Sequence, residues 1–200
     1  MATSIQDQTT LQNRLFAILQ SPEAQRIDFT LGSIKVDGKG LMEVVTSLML
    51  GTLHIEIKTM DAGAAAQYDT STNTFGFPNV AFGVLDSDKS SILHECVHAL
   101  QDIDYGYDFS RGDYFTMESE NEAAAYVAGC LYDNYKNLNT NYNEPSWDAA
   151  QKIAVKIKDA PGAVVSDDDA RALRNAIASD PVYMSKTFAS EDTYSNGASK

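Results

Sequence analysis

Apolar positions change period several times along this chain, and each change marks an element. Leu11, Leu15, Ile18 and Leu19 fall at helical spacing within residues 9–20, and the run stops before Pro22. Ile27, Phe29 and Leu31 alternate with polar residues and lead into Ile34 and Val36, which predicts a strand over residues 27–36, bent at Gly32. Leu41, Val44, Val45, Leu48 and Met49 return to the helical period. Leu53, Ile55 and Ile57 alternate with His54, Glu56 and Lys58, the pattern of a half-buried strand with His54 turned to solvent. Residues 61–66 form a loop of small residues, and residues 68–75 read as a turn feeding a strand that ends near Pro78.

A further helix is expected to start at Asp86, Ser87 or Asp88, each a capable N-cap, and to run to about Ile103. Its apolar stripe is Leu93, Cys96, Val97 and Leu100; its polar face carries His94, His98, Gln101, Asp102 and Tyr105. That separation predicts histidines away from the main core, on the floor of a cleft. Beyond lie an aromatic loop at residues 104–115, a helix over 117–135, an Asn-rich linker at 137–145, and amphipathic helices at 146–158 and 166–179. The order helix, strand, helix, strand, strand, then helices predicts an α+β domain with a helical C-terminal part. The expected organisation is one domain over residues 1–190 and a flexible tail over 191–200.

Within the central helix, His94-Glu95-Cys96-Val97-His98 is an H-E-x-x-H motif. Residues four apart lie on nearly the same helix face, so two imidazoles spaced this way can bind one Zn²⁺ from the same side. Glu95 is offset by about 100° and lies beside the metal, where a carboxylate can take a proton from a water that the metal activates. Cys96 is about 200° round from His94 and is not counted as a ligand. A catalytic zinc usually takes three protein ligands. No histidine follows His98, so the downstream ligand must be a carboxylate or a tyrosine.

Residues 118–126 supply the candidates. Glu118 and Glu122 are four apart and share a face, whereas Glu120 points elsewhere. Ala125 and Gly129 lie on roughly the side of Glu122, and small residues there allow close packing on the histidine helix. Ser119 and Glu122 also read as a capping box, which would spend Glu122 on backbone N–H groups. Asp104 lies ten residues after His94, which resembles the place where compact zinc peptidases of the metzincin type carry a third ligand; that resemblance implies a glycine at position 101 to turn the chain, and this chain has Gln101.

His94 to His98 with a downstream helical glutamate resembles the gluzincin zinc metallopeptidases, which include thermolysin-like enzymes and bacterial toxin peptidases. The resemblance spans about residues 68–126 and extends along the helix through Ala99-Leu100-Gln101-Asp102. It implies a zincin-like fold: a small mixed sheet, an edge strand preceding the H-E-x-x-H helix, and a helical C-terminal part. The edge strand expected to pair with an extended substrate is residues 74–77. It also implies His94, His98 and Glu122 as Zn²⁺ ligands, Glu95 as general base, and a peptide or protein substrate. Asn121-Glu122-Ala123 and the small residue at Ala125 favour Glu122; Glu118 is nearer the thermolysin-like distance from His98. Two departures stand out. Tyr126 occupies the position where many members carry an acidic residue that orients a histidine, and no late histidine exists to help stabilise an oxyanion. Tyr105, Tyr107, Arg111 and Tyr114 are candidates for that second role. A catalytically idle zincin-like metal-binding or interaction module is the alternative reading.

Composition narrows the partners. The chain has 200 residues, a formal net charge of −13 and 44% hydrophobic residues, enough for a proper core. The acidic balance argues against nucleic acid or anionic membrane as the main partner. The N-terminal residues show no basic segment followed by an apolar one, and no stretch is long and apolar enough for a membrane span. A cytoplasmic protein, or one exported by a route that needs no signal peptide, is expected. Cys96 and Cys130 fit buried apolar positions in a reducing compartment, or a single bridge.

Overall fold

Among the described residues, seven helices and six short strands form, the longer helices where the apolar periods place them and several of them started by a side-chain cap. The computed structural model describes residues 3–60, 64–107, 118–138 and 144–180, apart from the side chains of residues 105–107 and 118. Helix α1 (Ile5–Leu19) starts earlier than its apolar stripe because Ser4 caps it, accepting from the Asp7 N–H. A one-turn helix, α2 (Pro22–Gln25), follows with Pro22 in its first turn.

The predicted bent strand is a hairpin. β1 (Asp28–Leu31) and β2 (Ile34–Asp37) pair antiparallel, with Gly32 at φ +58° in the turn. Alternation alone does not distinguish a bend from a two-residue reversal, because both strands keep period two across it. Asp37 then caps α3 (Gly38–Leu50), which ends at Gly51 in the left-handed conformation.

β3 (His54–Ile57) leaves His54 exposed, as its alternation predicts. β4 (Gln67–Asp69) and β5 (Thr74–Phe77) complete a mixed sheet in the order β3-β5-β4, with β3 parallel and β4 antiparallel to β5. Two expectations are corrected here. Gln67–Asp69 is a strand rather than part of a turn, and Thr74–Phe77 is the central strand of this sheet. The edge next to the histidine helix is β4. Asp69 closes an Asx-type turn by accepting from the Ser71 N–H, so the turn chemistry lies just beyond the strand.

α4 (Asp86–Tyr107) continues past Ile103, and residues 104–107 extend it rather than begin a loop. Its polar face does not look into solvent: Gln101 and Asp102 are fully buried and His94 nearly so. α5 (Glu118–Tyr135) covers one side of α4, β4 another, and α1 and α3 lie behind. α6 (Pro145–Ile157) and α7 (Asp167–Ala178) close the far side of α5, with a two-residue strand β6 (Ala163–Val164) between them in the chain. β6 joins β1 in parallel, giving a second sheet in the order β2-β1-β6. The architecture is α+β. Cys96 and Cys130 are both buried, and no disulfide joins them. No described helix is long and apolar enough to cross a membrane. The expected tail at residues 191–200 lies outside the described residues.

The α4–α5 contact is close because α5 presents small side chains. Ala123, Ala124, Ala125 and Ala128 are fully buried. A Cβ on Gly129 would sit 3.0 Å from the Trp147 ring and 3.1 Å from the Ser90 backbone oxygen of α4. Gly129→Val is therefore expected to lower the unfolding free energy by about 1–3 kcal/mol through overpacking. Denaturant unfolding of the purified variant measures this. An unchanged midpoint would mean that the two helices tolerate a wider separation.

Candidate metal centre

Helical spacing places His94 and His98 on one face of α4, and α5 brings Glu122 against them. The two Nε2 atoms are 3.1 Å apart. Glu122 Oε2 lies 3.2 Å from His94 Nε2 and 3.6 Å from His98 Nε2. These three form a buried group that could hold a metal ion. Two imidazole nitrogens and one carboxylate oxygen turn lone pairs towards the same point, and so many acceptors converging away from water require a cation or protons between them. Donors about 2.0–2.1 Å from a tetrahedral Zn²⁺ lie about 3.3 Å from each other. The observed separations match that spacing, so the residues present fit a small divalent ion. Glu122 turns one carboxylate oxygen, Oε2, to both imidazoles.

The surroundings couple the protonation of the three groups: Glu122 is held as a carboxylate, and its charge favours a proton or another cation on the imidazoles. Burial alone would raise Glu122, but the imidazoles outweigh it and hold its carboxyl well below the usual range. Burial alone would lower His98, yet Glu122, Glu95 and Gln101 together raise it to about 9. Glu95, next along the helix, is pushed above the ordinary glutamate value chiefly by burial, partly offset by the two histidines. It is fixed by β4: the Tyr68 backbone N–H donates to Glu95 Oε2 over 2.7 Å. Tyr68 is anchored twice, since its hydroxyl donates to Asp102 Oδ2 over 2.7 Å. Burial, with the Asp102 charge beside it, pushes that phenol up strongly. With its amide turned to suit its neighbours, Asn73 also donates to Asp102 Oδ2, at 3.1 Å. Asp102 thus ties the β4–β5 hairpin to the helix that carries Glu95.

The far sides of the two imidazoles differ. His98 Nδ1 is 3.1 Å from Gln101 Oε1, and Gln101 Nε2 donates to the Asn121 backbone oxygen over 3.1 Å. His94 Nδ1 is buried without a hydrogen-bond partner among the described residues. Its ring meets Tyr126 edge-on, with centroids 4.7 Å apart, and lies 6.0 Å from the Trp147 ring. The position that resembles an acidic orienting residue is therefore filled by an aromatic one, which holds the imidazole by packing instead.

Asp104 is exposed farther along α4, which runs straight through it without turning back. The Glu118, Tyr105 and Tyr107 side chains, together with Arg111 and Tyr114, lie outside the described residues. Tyr68, Gln101, Asp102 and Trp147 were not foreseen as part of the site. Gln101 and Asp102 could have been suspected from their place on the histidine face; Tyr68 and Trp147 come from distant segments with no local signal. No protein-family model, curated protein or solved structure matches the chain.

A proton on His98 competes with a metal. Since that proton is held up to about pH 9, metal affinity should rise with pH through the neutral range and level off above it, with proton release on binding below that point. Titration calorimetry of metal-free protein with Zn²⁺ in buffers of different ionisation heat measures both effects. Affinity that stays constant between about pH 6 and 8, with no proton released, would contradict this charge state.

Proposed function

We propose that the chain is a zinc-dependent peptidase of the zincin type, with His94, His98 and Glu122 as metal ligands and Glu95 as general base. The observation that carries this reading is the convergence of two Nε2 atoms and one carboxylate oxygen beside a second carboxylate that belongs to the same helix but not to the triad. Two nitrogens and one oxygen suit Zn²⁺ better than the all-oxygen surroundings preferred by Mg²⁺ or Ca²⁺. Zn²⁺ held there would polarise a carbonyl oxygen and lower the pKa of water from about 15.7 towards 7.

Glu95 supplies the proton chemistry. Its burial favours the neutral acid, which makes it a stronger base than an exposed glutamate. Taking a proton from the attacking water and delivering it to the departing amine returns Glu95 to its starting form, so water and peptide become a carboxylic acid and an amine. The Tyr68 N–H keeps the carboxylate from rotating away between the two transfers. β4 is also the edge of its sheet, and an extended peptide can add to such an edge through backbone hydrogen bonds. That gives β4, rather than Thr74–Phe77, the role of substrate guide.

The ordinary alternative is a metal-binding module without turnover. Glu95 argues for the enzyme, because a purely structural zinc has no use for a neighbouring carboxylate outside its ligand set. Zinc content by elemental analysis, and cleavage of a peptide library read by mass spectrometry, separate the two. Glu95→Gln is expected to retain one zinc and lose at least about 100-fold in kcat/KM. Wild-type protein that holds zinc yet cleaves no peptide would identify the module, and protein indifferent to zinc would remove both readings.

A further inference from the structure

We infer that Gln101 is a positioning residue for the metal: it sets the tautomer of His98, so that Nε2 and not Nδ1 offers its lone pair to the ion. The inference rests on the metal-binding part of the reading above and is independent of peptide turnover.

Hydrogen-bond polarity carries the inference. An amide side chain has a donor end and an acceptor end, and at most positions either can face a given neighbour. Here the Asn121 backbone oxygen, 3.1 Å from Gln101 Nε2, accepts and cannot donate, which fixes the amide. The other end, Oε1, must then face His98 Nδ1 at 3.1 Å. An amide oxygen only accepts, so Nδ1 must carry hydrogen. In the neutral imidazole that leaves Nε2 bare, and Nε2 is the atom turned towards His94 Nε2 and Glu122 Oε2. The amide is deeply buried, 2% exposed, so water does not compete for either end.

The anchor is as informative as the contact. Asn121 immediately precedes Glu122, and its carbonyl belongs to the first turns of α5. One side chain therefore spans the two ligand-bearing helices, holding the His98 ring on α4 while gripping the backbone next to the third ligand. His94 has no such support, since its Nδ1 meets no polar partner among the described residues. Control over the tautomer consequently falls on His98 alone. Partners of this kind typically contribute 10–100-fold to metal affinity.

Zn²⁺ affinity is measured by competition with a chromophoric chelator for wild type, Gln101→Leu and Gln101→Glu, alongside thermal unfolding of each metal-free protein. Gln101→Leu removes the acceptor and should weaken zinc binding by about 10–100-fold. Gln101→Glu keeps an acceptor facing Nδ1 and should restore affinity to within about threefold of wild type, even though it loses the donor to Asn121. Equal losses in both variants, or none in either, would overturn the inference, because a purely packing role does not discriminate acceptor from non-acceptor. Nitrogen-15 NMR of the zinc-loaded wild type provides a check that needs no variant to fold. His98 should show a protonated Nδ1 and a metal-bound Nε2; the opposite pattern would overturn the inference. Wild type that binds no zinc would instead bring down the metal reading itself, whereas zinc-loaded protein without peptidase activity leaves the role of Gln101 intact.

Discussion

The close approach of α5 to α4 is the constraint on which the site depends. A glutamate side chain is short, so Glu122 reaches the imidazoles only if the two helix axes come near each other. The run of alanines at residues 123–125, with Ala128 and Gly129, removes the side-chain bulk that would hold them apart. Trp147 of α6 then fills the space above Gly129 and stands behind the His94 and Tyr126 rings. Packing and chemistry are thus one arrangement: the residues that let the helices touch also bring the three donor atoms together.

Burying polar groups at such a contact is costly unless each finds a partner. Apart from His94 Nδ1, which has no hydrogen-bond partner among the described residues, the structure offsets much of that cost with a small set of directed hydrogen bonds. Tyr68 holds Glu95 through its backbone and Asp102 through its hydroxyl, and Gln101 connects His98 to the backbone of α5. These bonds run across three elements, β4, α4 and α5. A carboxylate and an imidazole fixed in this way have little freedom to reorganise when charge moves nearby.

Much of the helical framework is legible in the chain, because a helix face repeats every three to four residues and needs no distant partner to be recognised. The strands are less so. Tyr68 and Asp69 lie in a stretch dense with turn residues, and that composition hides a three-residue strand whose partner is what defines it. Gly32 marked a bend that is in fact a reversal. The polar face of α4 looked like a solvent face for a related reason: periodicity separates polar from apolar positions but does not say what covers the polar side.

By itself the sequence determined that two histidines and an intervening glutamate share one helix, with two of the three on a common face, since the helical repeat alone dictates that geometry. It also supplied acidic candidates on a second helix and the small residues that permit approach. Only the tertiary structure decided that Glu122 meets both imidazoles, that β4 rather than β5 forms the edge beside Glu95, and that Tyr68, Gln101 and Asp102 complete the surroundings. Local spacing fixes which residues share a face; which faces meet depends on the packing of segments 20 or more positions apart, and no local pattern encodes that.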